Sequence, residues 1–140
     1  SEGEGPGTRA AHYHHCRDQD VLPGCVQGAC GMRVYVAGPY TKGDVALNVR
    51  RALAAGQQLV EAGHAPFVPH LTHFWHLVFP GPYEQWIRLD LEWLPFCNAL
   101  VRLSGESAGA DGEVKVAMSL GIPCYTSVEA FLNTYRERLA

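Results

Sequence analysis

The fold is decided by a short stretch of sequence, VYVAGP at residues 34–39. Its first four residues are apolar and β-prone, and the Gly-Pro pair that follows them is typical of a buried strand that ends at a loop. Beyond this loop, apolar residues recur at helical spacing from Val45 to Val60. Asp44 is in position to cap that helix and Gly63 to end it. The stretch therefore predicts the start of a strand–helix–strand unit.

The rest of the chain repeats this alternation. We predict further strands at residues 66–68, 99–103 and 122–125, and further helices at 83–94, 113–120 and 128–139. The aromatic, histidine-rich stretch 70–82 is predicted to be an ordered loop, because Pro80 and Pro82 interrupt it. Strands joined by helices imply right-handed crossovers and a mainly parallel sheet. We therefore expect a single-domain α/β fold, doubly wound and flavodoxin- or Rossmann-like, with helices on both faces of the sheet.

Length and composition indicate one domain and a tail. The chain has 140 residues, of which 47% are apolar, so it can bury one core and leaves little for a second. Residues 1–31 are rich in glycine and polar residues and carry no sustained period. We predict a flexible N-terminal tail there and the α/β domain at residues 32–140.

Charge and hydropathy exclude several classes of partner. The formal net charge is -3 and no basic cluster exceeds Arg50-Arg51, so we expect no nucleic-acid polymer as a partner. No apolar run approaches the roughly 18 residues of a membrane span, and the N-terminus has no signal-peptide pattern. We therefore expect a cytoplasmic protein with no membrane partner. The five cysteines form no CxxC pair and are expected to be reduced thiols, and we predict no metal site and no cofactor.

Parallel α/β sheets bind ligands at the carboxyl ends of their strands, which selects the loops 38–44, 69–82 and 104–112. Glu113 follows the third loop and is predicted to lie in the first turn of its helix. It shares a helical stripe with apolar residues such as Ala117 and Leu120, so its carboxylate should face inward.

The helix N-terminus should favour the ionised form of Glu113. A charged, inward carboxylate is what a nucleophile toward an electrophilic sugar carbon requires. The alternative is an ordinary solvent-exposed acidic residue of a first helical turn.

Asp90 is a second acidic residue in an apolar setting. It lies four residues after Trp86 and four before Leu94, within the apolar stripe of its helix. Acidic residues are rarely buried without a partner or a task. Two carboxylates in one pocket suit glycosidic chemistry, in which one attacks the anomeric carbon and the other, with a raised pKa, protonates the leaving group. The alternative is a buried ion pair with Arg33 or Arg102.

The second loop carries His70, His73 and His76 at HxxHxxH spacing, among aromatic residues that include Trp75. These side chains could form a stacking and hydrogen-bonding wall for a planar base, could bind a metal ion, or could simply pack.

Three motifs together resemble the nucleoside 2-deoxyribosyltransferase superfamily. They are VYVAGPYTKGD at 34–44, DLEWL at 90–94 and SAGADGE at 107–113, the last followed by an alanine-containing helix and a Gly-Ile-Pro turn. The 2'-deoxynucleoside 5'-phosphate N-hydrolase branch is similar in all three motifs, and a group of small bacterial and phage domains is more similar still. The resemblance covers residues 32 to about 125 and implies cleavage of an N-glycosidic bond by a homodimer.

The resemblance also implies roles for individual residues. Glu113 matches the catalytic glutamate that forms a covalent glycosyl ester, Asp90 matches the acid that assists departure of the base, and Tyr35 matches the tyrosine that steadies the glutamate. Ser107 matches a serine of the 5'-phosphate branch, where transferases of free nucleosides carry an acidic residue. A hydroxyl can donate to a phosphate, whereas a carboxylate repels it, so the implied substrate is a nucleoside 5'-monophosphate.

Two segments depart from the hydrolase pattern. In the first loop Lys42 takes the place of an arginine without its bidentate geometry, and the histidine-rich segment 69–76 has no counterpart. The phosphate is expected near Tyr40, Thr41, Lys42, Ser107 and Gly109. The other expected substrate-binding residues are Gly38, His70, Trp75, Tyr83 and Trp86.

Three hypotheses follow for the function. The first is an N-glycosidase of nucleoside monophosphates, with a deoxyribosyltransferase as its nearest alternative. The second is a nucleotide-sensing module without turnover, and the third is a metal-dependent hydrolase that uses the three histidines of the second loop.

Overall fold

The computed structural model describes residues 31–139. In this part of the chain the strands are β1 (Arg33–Ala37), β2 (Ala65–Phe67), β3 (Ala99–Arg102) and β4 (Cys124–Tyr125). The helices are α1 (Val45–Glu61), α2 (Thr72–Val78), α3 (Tyr83–Trp93), α4 (Ala108–Ser119) and α5 (Val128–Leu139). Short 3₁₀ helices at Pro69–Leu71 and Leu94–Phe96 precede α2 and follow α3. The predicted tail lies outside the described residues except for Gly31.

The described strands form one parallel sheet in the order β2-β1-β3-β4. In the register of the central pair, Val34 lies opposite Ala99 and Val36 opposite Val101. The chain leaves β1 toward one edge of the sheet and later reaches β3 on its other side. Such a reversal opens a crevice at the carboxyl ends of the two central strands.

Side chains of β1 alternate between the two faces of the sheet, as the pleat requires. Val34 and Val36 belong to a core cluster with residues of α1 and with Phe131 of α5. Tyr35 and Ala37 belong to a second cluster, which includes Ala110 and Ala117 of α4 and Leu94. Both faces are therefore covered by helices, and the predicted doubly wound α/β fold is confirmed.

Helix α1 has the ends that its sequence predicts. The Asp44 side chain accepts a hydrogen bond from the Leu47 backbone N–H at 3.1 Å, which satisfies one of the free donors of the first turn. Gly63 follows the C-cap residue Ala62 and has a φ of 86°, a conformation that favours glycine.

The prediction of a loop over residues 70–82 is wrong in part, because α2 forms within it. Pro80 and Pro82 do not interrupt a helix, since both lie in the connection between α2 and α3. Pro69 begins the preceding 3₁₀ helix. A backbone N–H at the first position of a helix forms no hydrogen bond within the helix, so proline costs nothing there. Proline in this stretch therefore marks the helix ends.

The loop predicted at 104–112 is also too long. Helix α4 begins at Ala108, with the Ser107 side chain as its N-cap, so Glu113 lies in the second turn and not in the first. Leu120, expected to face inward with Glu113, is 50% exposed just beyond the helix end. β2 begins one residue earlier than predicted, and β3 and β4 are shorter.

Two further findings concern the described residues. None of their helices is long and apolar enough to cross a membrane. Cys97 and Cys124 are both free thiols.

Candidate active site

A cavity of about 660 Å³ opens where β1, β2 and β3 end. Its walls come from the loops that follow these strands and from α2, α3 and α4. All substrate-binding and catalytic residues predicted from the sequence line it except Tyr35 and Trp75, namely Gly38, Tyr40, Thr41, Lys42, His70, Tyr83, Trp86, Asp90, Ser107, Gly109 and Glu113. The loops selected from the sequence therefore meet at one place.

Glu113 is buried at the inner wall of this cavity, with 7% of its surface exposed. The hydroxyl of Tyr35 donates a hydrogen bond to its Oε2. Tyr35 reaches it because the pleat of β1 turns this side chain toward the face on which α4 packs. This hydrogen bond involves Oε2 only, and Oε1 takes no part in it.

Burial raises the pKa of Glu113 to about 8. The expectation that the helix dipole would favour the ionised form is therefore wrong. The dipole acts mainly within the first turn, and Glu113 lies beyond it. Desolvation dominates instead, because a buried carboxylate loses its hydration.

Asp90 lies on α3 and is 5% exposed. Burial raises the pKa of this carboxyl to about 7, as an acid that protonates a leaving group requires. Its Oδ1 is buried and has no hydrogen-bond partner in the part of the chain that is described. Arg102, one of the partners considered for an ion pair, is bound to Asp111 at 2.9 Å. This Asp90 oxygen is therefore unsatisfied among the described residues, and the Asp90 side chain lines the cavity.

The Asn48 side chain holds the first loop in place through two hydrogen bonds to its backbone. Its Nδ2 donates to the backbone oxygens of Tyr40 at 2.9 Å and of Lys42 at 2.8 Å. Gly38 begins this loop at a point where a side chain would come within 3.1 Å of Leu103 Cβ. Thr41 is exposed at the rim of the cavity.

The ammonium group of Lys42 contacts Oε1 of Glu106 at 2.7 Å, and both side chains are largely exposed. This ion pair joins the first loop to the third at the mouth of the cavity. Glu106 was not among the predicted site residues, although it stands next to Ser107 in a loop that the topology had selected. An anion that binds Lys42 must compete with this carboxylate.

Ser107 and Gly109 form the cavity wall at the start of α4. The Ser107 hydroxyl accepts from the Ala110 backbone N–H at 3.1 Å, and its own proton remains available for donation. A Cβ at Gly109 would lie 2.4 Å from the Tyr83 hydroxyl oxygen. The atom that it would meet is the outer end of the Tyr83 side chain, which is 48% exposed, so the close approach concerns this side chain and not the backbone of α3.

The three histidines at HxxHxxH spacing contact different groups. A ring nitrogen of His70 lies 2.8 Å from the Pro39 carbonyl oxygen, and one of His73 lies 2.7 Å from the Tyr40 hydroxyl. His76 Nδ1 accepts from the Trp86 indole N–H at 3.1 Å. Within residues 31–139, no three His, Cys, Asp or Glu side chains are grouped as metal ligands.

Trp75 does not line the cavity. It is 54% exposed, and its ring packs edge-on against Trp86, with ring centroids 5.6 Å apart. His73, His76 and Ile87 line the cavity in addition to the predicted set. Ile87 could have been identified from its spacing, since it lies four residues after Tyr83 and three before Asp90.

One solved structure with a similar fold is a 2-deoxyribosyltransferase from the psychrotolerant bacterium Bacillus psychrosaccharolyticus, described as a biocatalyst for the synthesis of antiviral and antitumoral nucleosides. The two chains are 22% identical, with a TM-score of 0.52 over 66% of this chain and 69% of that chain. The likeness shows a shared fold. No curated protein matches the chain.

A protein-family model covers most of the described part of the chain. It matches residues 32–127, which include the walls of the cavity from Gly38 to Glu113. On this match, the chain belongs to the family described as a domain of unknown function, DUF7768.

Proposed function

We propose that this protein cleaves the N-glycosidic bond of a nucleoside or deoxynucleoside 5'-monophosphate through a covalent glycosyl-glutamate intermediate. One observation carries the proposal: a buried glutamate that accepts from Tyr35 shares a cavity with a buried aspartate whose Oδ1 has no partner among residues 31–139. Buried carboxyl groups with raised pKa values, in one cavity, are typical of acid–base and nucleophilic chemistry.

In the first step Glu113 attacks C1' of the sugar as the ionised carboxylate. With pKa values of about 8 for Glu113 and about 7 for Asp90, the form with Glu113 ionised and Asp90 protonated is the minority of the singly protonated pair, and it is the form that reacts. The bond from C1' to the base nitrogen breaks, and its electron pair leaves with the base. Protonated Asp90 donates its proton to the departing base. Tyr35 holds the glutamate in position through its hydroxyl, and this bond strengthens when the carboxylate is charged.

In the second step water attacks C1' of the glycosyl ester. The ester bond breaks, Glu113 regains its carboxylate, and Asp90 takes the proton of the water. A second base in place of water would give transfer of the sugar, the activity named for the structurally similar enzyme. Hydrolysis and transfer therefore share the first step and differ in the acceptor.

The phosphate is proposed to bind at the mouth of the cavity. Thr41 and Ser107 offer hydroxyl donors, Lys42 offers a positive charge, and Gly109 lies in the first turn of α4, where backbone N–H groups are free. A phosphate there displaces Glu106 from Lys42.

The base is proposed to bind against Tyr83, Trp86 and His70. Aromatic rings offer a planar base a large contact area, and the ordered indole of Trp86 is held by His76.

We also propose a homodimer. A group of apolar side chains on α2 and at its end is more than half exposed, and it lies beside the cavity: Phe74, Trp75, Leu77, Val78 and Phe79. An exposed apolar patch of this kind favours contact with another chain. Sedimentation equilibrium of the parent and of a Val78→Asp variant tests the proposal, which requires a dimer that the added charge weakens.

The test of the function is a screen of nucleoside monophosphates for released base, with and without an acceptor base. The parent should release base, and Glu113→Gln should lose this activity because glutamine keeps the shape and lacks the nucleophile. Glu129→Gln, at an exposed position of α5, serves as the matched control. Tight binding of a nucleotide without any base release would instead support the sensing module, and equal turnover by Glu113→Gln would rule out the mechanism.

A further inference from the structure

His70 presents a buried nitrogen to which no group among residues 31–139 donates. Its side chain follows β2, lines the cavity and is 5% exposed. Nε2 lies 2.8 Å from the Pro39 carbonyl oxygen. A carbonyl oxygen can only accept, so Nε2 must carry the proton of this bond.

The bond to Pro39 determines the state of the other ring nitrogen. In a neutral imidazole one nitrogen donates and the other accepts, so Nδ1 has a lone pair and no proton. Burial lowers the pKa of His70, which favours the neutral ring. Nδ1 is itself buried and has no hydrogen-bond partner within residues 31–139.

A buried acceptor without a donor carries a free-energy penalty that a bound ligand can remove. Rejection of a ligand that lacks the matching group is strong in such sites, because the acceptor then stays unsatisfied. His70 lines the cavity, and its Nδ1 has almost no accessible surface when the cavity is empty, so a ligand donor reaches this atom with a small shift of the ring.

We propose that Nδ1 of His70 accepts a hydrogen bond from an N–H group of the nucleobase, so that the protein selects bases that present an amino or imino donor there. This inference rests on the proposed function and names the substrate class for the same cavity. His70 and Glu113 follow β2 and β3 on opposite sides of β1. Both side chains line the same cavity, so a nucleotide with its C1' at Glu113 can place its base against His70.

The test compares pairs of nucleotides that differ in one base donor. Each pair sets a base with an amino group against the same base with hydrogen in its place, or an imino N–H against its N-methyl analogue. The parent should prefer the donor-bearing member of at least one pair by about tenfold in kcat/KM, the size expected for one buried neutral hydrogen bond.

Two variants separate recognition from support of the fold. His70→Gln can still donate to Pro39 from its amide nitrogen but places no acceptor at the position of Nδ1, so the preference should disappear. His70→Asn can place its amide oxygen near that position and loses the contact with Pro39, so part of the preference should remain. Nitrogen-15 NMR of the parent adds a direct readout, since the Nδ1 resonance should shift when the donor-bearing base binds and not with its analogue.

The outcomes distinguish this inference from the proposed function. Base release without any preference within the pairs, an unchanged preference in His70→Gln, or a preference that follows a sugar hydroxyl would each overturn the role of His70 and leave the glycosidase intact. Absence of both binding and base release with every nucleotide would overturn both.

Discussion

Because the Glu113 carboxyl is buried, we predict that its replacement by a neutral side chain stabilises the protein in alkaline solution. Burial raises the pKa of this group to about 8, against an ordinary value of 4.5. Below the ordinary value the carboxyl is neutral in both the folded and the unfolded chain. Between this value and about 8 only the unfolded chain ionises, so stability falls as the pH rises across this window and levels off once the folded protein also carries the charge.

The size of this effect follows from the difference between the two pKa values. One pKa unit corresponds to about 1.4 kcal/mol, so the charged carboxylate lowers the free energy of unfolding by about 4–5 kcal/mol at a pH above the folded pKa. Glutamine has nearly the same shape, can accept from Tyr35 and carries no charge. Glu113→Gln should therefore resemble the parent at about pH 4 and exceed its stability by several kcal/mol at about pH 9.

Urea denaturation of both proteins across this pH range measures the difference directly. Titrations that the two proteins share cancel in it, and Glu129→Gln shows what the loss of an exposed carboxylate does alone. A stability difference that stays constant with pH, or a Glu113→Gln variant that is less stable than the parent in alkaline solution, would refute the argument from burial.

Three further predictions concern the walls of the cavity. Burial raises the pKa of Asp90 to about 7 and that of Glu113 to about 8, so the pH profile of kcat/KM should peak between these values. Asp90→Asn should be slower by about 10² or more, and its kcat/KM should rise to a plateau in alkaline solution without falling again. A profile of Asp90→Asn that still falls at high pH would contradict the assignment of the acid. Gly109→Ala should change the free energy of unfolding by less than about 1 kcal/mol, because its Cβ meets only the outer end of the half-exposed Tyr83 side chain, and the change should shift toward stabilisation in a Tyr83→Phe background; a loss of several kcal/mol, or equal effects in both backgrounds, would contradict this contact. Glu106→Gln removes the carboxylate that contacts Lys42 and should lower KM several-fold for monophosphates but not for nucleosides. The KM for monophosphates should also depend more strongly on salt concentration. An unchanged KM for monophosphates would contradict the placement of the phosphate at Lys42.

The sequence predicts most of the framework, because local patterns determine it. The apolar run of β1 with its Gly-Pro stop and the capped helix α1 place the first crossover, and parallel topology then brings three loops to one edge. Asp90 and Glu113 stand out since they interrupt apolar stripes of their helices. These signals lie within single elements and need no knowledge of their neighbours.

Other features depend on how elements pack against each other, and no local pattern encodes them. The pairing of Lys42 with Glu106 joins two loops that are distant in sequence. The outward position of Trp75 depends on where α2 lies against Trp86. The protonation of Glu113 depends on how much water the packing around it removes, which is a property of the assembled fold.

The most direct test of the account is to capture the glycosyl ester itself. The parent, mixed with a nucleotide that it turns over and quenched in acid during the first turnover, should contain a peptide heavier by one sugar phosphate, with the added mass on Glu113. Glu113→Gln should show no adduct under the same conditions. Base release by the parent without an adduct on Glu113, or with the sugar bound to another residue, would contradict the assignment of Glu113 as the nucleophile.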